Sequence, residues 1–204
     1  TPKPSSAASD VYKRQAFSGG FIIMSLELLG GRILAPYFGS SIYVWGSIIT
    51  IFMLSLSGGY LIGGKLSTRS PTMTKFGIIF LCAALLLAPL VYLSEMAMEL
   101  IFLYVTDPRY GSLLASTVLF MVPTVFLGMI SPYSVRLLIE SVARSGEVAG
   151  RLYFVSTLGS SLGTLATSFY LVLWFEINTI LIFMTASLIV LSAIAIGSDE
   201  WSSK

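Results

Sequence analysis

The chain of 204 residues is 55% hydrophobic and only 11% charged, with a mean hydropathy of +0.88, against soluble averages of about 45–50% apolar and about 25% charged. This composition excludes a soluble globular domain. With no His and one cysteine, Cys82, imidazole relays, paired-Cys metal sites and an intrachain disulfide are excluded as well, no cofactor is expected, and a net charge of +2 gives no reason to invoke nucleic acid.

Residues 1–15, TPKPSSAASDVYKRQ, are polar and show no apolar periodicity, so they are read as a disordered or artefactual leader. Six apolar runs follow at 16–34, 43–64, 76–93, 111–130, 152–174 and 177–196. Each is near the roughly 20 residues that cross a hydrocarbon core of about 30 Å. The first is kept as a span because no small-x-small cleavage site follows it. The expected fold is therefore an all-α membrane protein of six transmembrane helices occupying residues 16–196, with the lipid bilayer as its first partner.

Lys and Arg set the orientation. Lys65, Arg69 and Lys75 lie between spans two and three, and Arg136, Arg144 and Arg151 between spans four and five, against Arg109 and Arg32 on the other side. Both termini are expected in the cytoplasm. On the outer side, 94–104 reads as a short interfacial helix, with Glu95 and Glu99 on one face and Met96, Leu100 and Leu103 on another. Asp107-Pro108-Arg109 then turns the chain into span four. On the inner side, 132–151 reads as an amphipathic helix with Arg136, Glu140, Arg144, Glu147 and Arg151 spaced for ion pairs. Spans five and six are separated only by Phe175-Glu176, and residues 197–204 read as the start of a cytosolic linker.

Ionisable residues inside spans carry the functional information, because a charge at mid-membrane depth costs about 2.5–3.5 kcal/mol. Glu27 lies well inside the first span, and Arg32 five residues on is about 140° away on a regular helix. Gly30-Gly31 are expected to loosen that helix and Ala35-Pro36 to end it, which would allow the two to pair locally. Two readings stand: Glu27 attracts a cationic substrate that Arg32 holds or gates, or Glu27 is an interhelical polar staple with Arg32 snorkelling outward. Small residues form a second signal. Ser55, Gly59 and Gly63 recur in span two, and Ser156, Ser160 and Thr164 run beside Gly159, Gly163 and Thr167 in span five. Such stripes read as packing seams, with the span-five hydroxyls lining a polar path as the alternative. Pro123 and Pro132, with Gly128 between them, are candidate hinge positions. Tyr37, Tyr43, Trp45 and Trp174 fit an aromatic belt.

Several motifs in one order make a resemblance. Leu26-Glu27, Arg32-Ile33-Leu34-Ala35-Pro36, Gly39-Ser40, Val44-Trp45, Gly128-Met129-Ile130-Ser131-Pro132, Gly150-Arg151-Leu152-Tyr153 and Ser156-Thr157-Leu158-Gly159-Ser160 resemble the integral-membrane domain of bacterial spermidine synthase-like proteins. That domain in turn resembles half of a major facilitator transporter, whose signature between spans two and three is similar to Gly58 through Arg69, with Thr68 where the pattern prefers Asp. The resemblance implies a bacterial inner membrane location and a small cationic metabolite such as a polyamine as ligand, with Glu27, Arg32, Trp45, Ser156, Ser160 and Thr164 as candidate binding or gating residues. It also implies a cytosolic aminopropyltransferase domain as partner. That catalytic domain is not in this chain, which holds no Gly-rich turn opening a soluble βαβ unit, so the chain itself is not expected to be an enzyme. The remaining alternative is a membrane anchor or scaffold. A symmetric homodimer in contact near the glycine-rich spans is expected to complete the half.

Overall fold

Short polar punctuation divides the chain into helices, and the computed structural model describes residues 6–139 and 145–202, with side chains within 11–139 and 145–198. The order is α1 (Ser6–Phe38), α2 (Ile42–Ser67), α3 (Met73–Leu87), α4 (Leu90–Tyr104), α5 (Pro108–Leu138), α6 (Ser145–Ala166), a π-helical turn (Thr167–Leu171), α7 (Val172–Trp174) and α8 (Ile177–Ser202). Gly39, at φ +76°, turns α1 into α2, a conformation that a side chain would oppose. Thr72 caps α3 by accepting from the Lys75 amide at 3.2 Å. Asp107 caps α5 by accepting from the Arg109 amide at 2.8 Å, with Pro108 in the first turn.

The chain is all-helical among the described residues. Four helices are long and apolar enough to cross a membrane: Val11–Phe38, Ile42–Ser67, Pro108–Leu138 and Ile177–Ser198. A fifth arises if α3 and α4, which meet at a 48° bend, count as one broken span. This revises the reading of 76–93 as a span followed by a separate interfacial helix. The break falls at Ala88-Pro89, so 90–93 belong to α4 with the rest of that segment. α6 is not among the candidate spans, because its Gly, Ser and Thr residues dilute the apolar run.

Three further boundaries differ from expectation. α1 begins well before residue 16. Tyr12, 6% exposed, packs near the Phe76 ring, and Gln15, 1% exposed, donates from Nε2 to the Leu191 carbonyl at 3.2 Å. Tyr12, Gln15 and Ala16 share one helical face, which the polar composition of the segment hides. At the other end α8 runs on through Gly197 to Ser202 instead of giving way to a linker. Within 132–151, residues 132–138 end α5 and residues 145–151 begin α6, with Gly146 and Gly150 inside α6. Of its anticipated ion pairs, Glu147–Arg151 is present at 2.7 Å and exposed, while Glu140 and Arg144 lie outside the described residues.

Packing follows three helix pairs: α1 with α6, α2 with α5, and α3 with α8. Two of these seams are built on backbone contact. A Cβ placed on Gly159 would collide with the Phe17 carbonyl oxygen, and one on Gly163 would stand 2.5 Å from that of Phe21. Gly59 would meet the Val125 carbonyl oxygen in the same way, and Gly63 the Met129 carbonyl oxygen at 2.7 Å. Gly20 faces the Ser156 carbonyl, and Gly128 faces that of Leu56 at 3.0 Å. Phe17, Gly20 and Phe21 stand at one constant offset in sequence from Val125, Gly128 and Met129. Leu56, Gly59 and Gly63 stand at another from Ser156, Gly159 and Gly163. The two seams are thus copies of one arrangement. α1 and α5 run in opposite directions, with Phe38 at the end of α1 packed on Gly111 at the start of α5, which is the geometry of an inverted repeat. The third pair closes behind them, where Gly77 faces the Ser192 carbonyl at 2.9 Å.

The core between these layers is aromatic. Phe52, Phe76, Phe80, Phe120 and Tyr133 are fully buried, and the Phe76 and Tyr133 rings stack at 5.6 Å. Tyr133 also ties the loop after α2 to the end of α5 by accepting from the Thr72 amide at 3.2 Å. Among the described residues no carboxylate closes the loop at Thr68; Lys75 does so instead, donating from Nζ to the carbonyls of Arg69 at 2.9 Å and Ser70 at 3.0 Å.

Overfilling either seam should destabilise the fold. Gly59→Leu or Gly159→Leu is expected to cost about 1–3 kcal/mol or more, seen as a lowered melting temperature in detergent. Gly46→Leu and Gly64→Leu point into open space and should leave it unchanged. Equal melting of all four variants would contradict the seams.

Candidate functional site

Glu27 and Arg32 sit on one continuous helix. α1 runs unbroken through Gly30-Gly31 and carries Pro36 inside it, so the expected loosening and early end do not occur. The two side chains therefore keep their separation of about 140°, and among the described residues no ion pair joins them. This corrects the local pairing: the pair is not a staple within α1.

Glu27 shares, within about 40° on a regular helix, the face that carries Gly20 and Gly31. Gly20 looks onto α6, where Ser160 Oγ stands 2.8 Å from its Cβ direction. Gly31 lies beneath the Trp45 indole of α2, whose Cη2 and Cζ2 stand 2.7 and 2.8 Å from its Cβ direction. Gly30 touches Phe120 of α5. The opposite face of α1, with Ile22, Leu26 and Leu29, is buried in the core. Glu27 is half-buried, between the α6 contact on one side and the α2 and α5 contacts on the other. Among the described residues its carboxylate has neither a hydrogen bond nor an ion pair.

Arg32 points elsewhere. With Tyr37, Glu95, Glu176 and Asn178 it lines a cavity of about 520 Å³ between the end of α1, α4 and the turn before α8. Glu27 is not part of that lining. The structure thus brings Glu27, Trp45 and Ser160 to one face and places Arg32 on another. Glu95 and Glu176 were missed as its companions because they stand far apart in sequence.

The hydroxyls of α6 are largely committed within their own helix. Ser160 Oγ donates to the Ser156 carbonyl at 3.1 Å, and Thr164 Oγ1 to the Ser160 carbonyl at 2.9 Å. One buried chain crosses the seam: Thr167 Oγ1 donates to Ser25 Oγ at 2.8 Å, and Ser25 Oγ to the Gly163 carbonyl at 3.4 Å. It lies where α6 passes into its π turn, a local rewinding often found at functional positions that no periodicity of the sequence announces. Gly59, Gly63, Gly159 and Gly163 serve the seams within the chain, so their faces are not available to a second copy. Pro123 and Pro132 lie inside α5, which stays helical through both, and Gly128 serves close approach to α2.

Among the described residues no cluster of three or more Cys, Asp or Glu is placed to hold a metal ion. Compared with known proteins, the chain matches no family model, no curated protein and no solved structure.

Exposure distinguishes the two faces of α1, with Glu27 half-buried and Leu26 fully buried. In a Cys82→Ala background, Glu27→Cys should react with a small maleimide at least about tenfold faster than Leu26→Cys, since a thiol reacts as its hydrated thiolate. Equal rates would contradict the placement of Glu27.

Proposed function

We propose that this chain is the membrane domain of a spermidine synthase-like protein that binds, transports or channels a small cationic metabolite such as a polyamine. The observation that carries the reading is Glu27, a carboxylate in the middle of an apolar helix, half-buried and without a partner among the described residues. An intramembrane ionisable group in such a setting is by default a functional one. Trp45 offers the cation an aromatic face beside it. The two matching seams support a half-transporter built as an inverted repeat, with α6 and its π turn as the fifth of six spans despite their hydroxyl content. A second copy would then supply the facing half, through surfaces other than the seam glycines.

The same reading places the chain in a bacterial inner membrane with both termini in the cytoplasm. Lys65, Arg69, Lys75, Arg136 and Arg151 gather at one end of the bundle against Arg32 and Arg109 at the other, a bias in the sense of the positive-inside rule. A reporter fused after Lys204 should be active only in the cytoplasm; periplasmic activity would overturn the topology.

A second reading has its own support. The small-residue stripes are consumed by packing and most α6 hydroxyls by their own helix, as suits a membrane anchor or oligomerisation scaffold for a cytosolic aminopropyltransferase domain. Glu27→Gln decides between them. On the transport reading, spermidine binding to the purified chain falls about tenfold or more, most steeply at low ionic strength where screening is weak. Thermal stability stays near wild type, because Arg32 does not depend on Glu27. Unchanged spermidine binding would leave the scaffold.

A further inference from the structure

We propose that the cavity bounded by Arg32, Glu95 and Glu176 binds a zwitterion carrying a primary ammonium beside an anionic group. The three charged residues come from the last turns of α1, from α4 and from the turn between α7 and α8, and they converge on one space of about 520 Å³. That is within the roughly 300–1,000 Å³ common for small-molecule sites. Among the described residues none of the three forms an ion pair, although both signs line the same cavity.

Mixed charge decides the ligand class. An anion alone answers Arg32 and meets repulsion from two carboxylates. A cation alone answers a carboxylate and is opposed by the guanidinium. A molecule carrying both signs satisfies one group of each and gains charge-assisted hydrogen bonds at both ends. Tyr37, Ser94 and Asn178 add neutral hydrogen-bonding groups, while Ile33, Met98 and Phe175 supply an apolar wall for a side chain or acyl segment. The cavity sits where the chain turns, beside the Phe175-Glu176 link, and is therefore at the level of the membrane surface. Two sources share this chemistry: a free amino acid with an apolar side chain and the headgroup of an ethanolamine phospholipid.

Calorimetry on the full chain in mild detergent tests the site, with L-leucine and monomeric dihexanoylphosphatidylethanolamine as zwitterionic probes. Putrescine serves as the cation and dihexanoylphosphatidylglycerol as the anion. One of the zwitterions should bind at least about tenfold tighter than either singly charged probe. Preference for leucine assigns a free amino acid, and preference for the lipid assigns a headgroup. Arg32→Gln and Glu176→Gln should each weaken that binding about tenfold or more. Glu99→Gln, exposed on α4 outside the cavity lining, should not, and neither should Glu27→Gln, which keeps this site separate from the polyamine reading. Should Arg32→Gln fold poorly, Glu176→Gln in the exposed turn decides. The proposal is overturned if neither zwitterion binds, if a singly charged probe binds as tightly, or if the charge-removing variants bind like wild type.

Discussion

Backbone-to-backbone contact at two glycine seams is the constraint on which this structure depends. In lipid, apolar side chains gain nothing by leaving hydrocarbon for one another, so helices associate where their main chains can approach closely. Gly159 and Gly163 bring α6 onto Phe17 and Phe21 of α1, and Gly59 and Gly63 bring α2 onto Val125 and Met129 of α5. Because the two seams are copies in opposite orientation, α1 and α5 are held back to back, with α3 and α8 behind them. The faces that α1 turns to each neighbour follow from these contacts.

Continuity of α1 then separates two kinds of chemistry. Neither Gly30-Gly31 nor Pro36 interrupts the helix, so Glu27 and Arg32 stay on different faces. Glu27 looks between α6 on one side and α2 and α5 on the other, one turn from Gly31 beneath the Trp45 ring, and has no ion pair among the described residues. Arg32 looks toward α4 and the α7–α8 turn, where two carboxylates wait without pairing. The bend at Ala88-Pro89 makes the second arrangement possible, since it swings α4 away from the α3 axis by 48° and carries Glu95 to the cavity. The π turn after α6 does the same from the other side, placing Val172 and Phe175 in its wall.

The parts of this fold that repeat at helical spacing were legible in the sequence. Ser55, Gly59 and Gly63, and Gly159 with Gly163, recur every four residues, and that period alone marks them as packing positions. The long apolar runs of α2, α5 and α8 were equally readable, as was the Asp107-Pro108 start of α5. What escaped depends on tertiary contact or on a local departure from regularity. Tyr12 and Gln15 belong to a polar segment that is buried by tertiary contacts, among them Phe76 and Leu191, both distant in sequence. The break at Ala88-Pro89 lies inside an apolar stretch that hydropathy reads as one span. Pro123 and Pro132, read as candidate hinge positions, lie inside α5, which stays helical through both. Glu95 and Glu176 had no local signal linking them to Arg32.

The central claim is that the seams leave the Glu27 face of α1 in contact with water within the membrane. Deuterium modulation of a nitroxide in D₂O measures this directly. The label belongs at Ile23, one turn before Glu27, in Cys82→Ala protein reconstituted in lipid, with a reference label at Met53, which is 65% exposed on α2. The account predicts a clearly deeper deuterium signal at position 23 than at position 53. A signal at position 23 as shallow as that at the lipid-facing reference would contradict it.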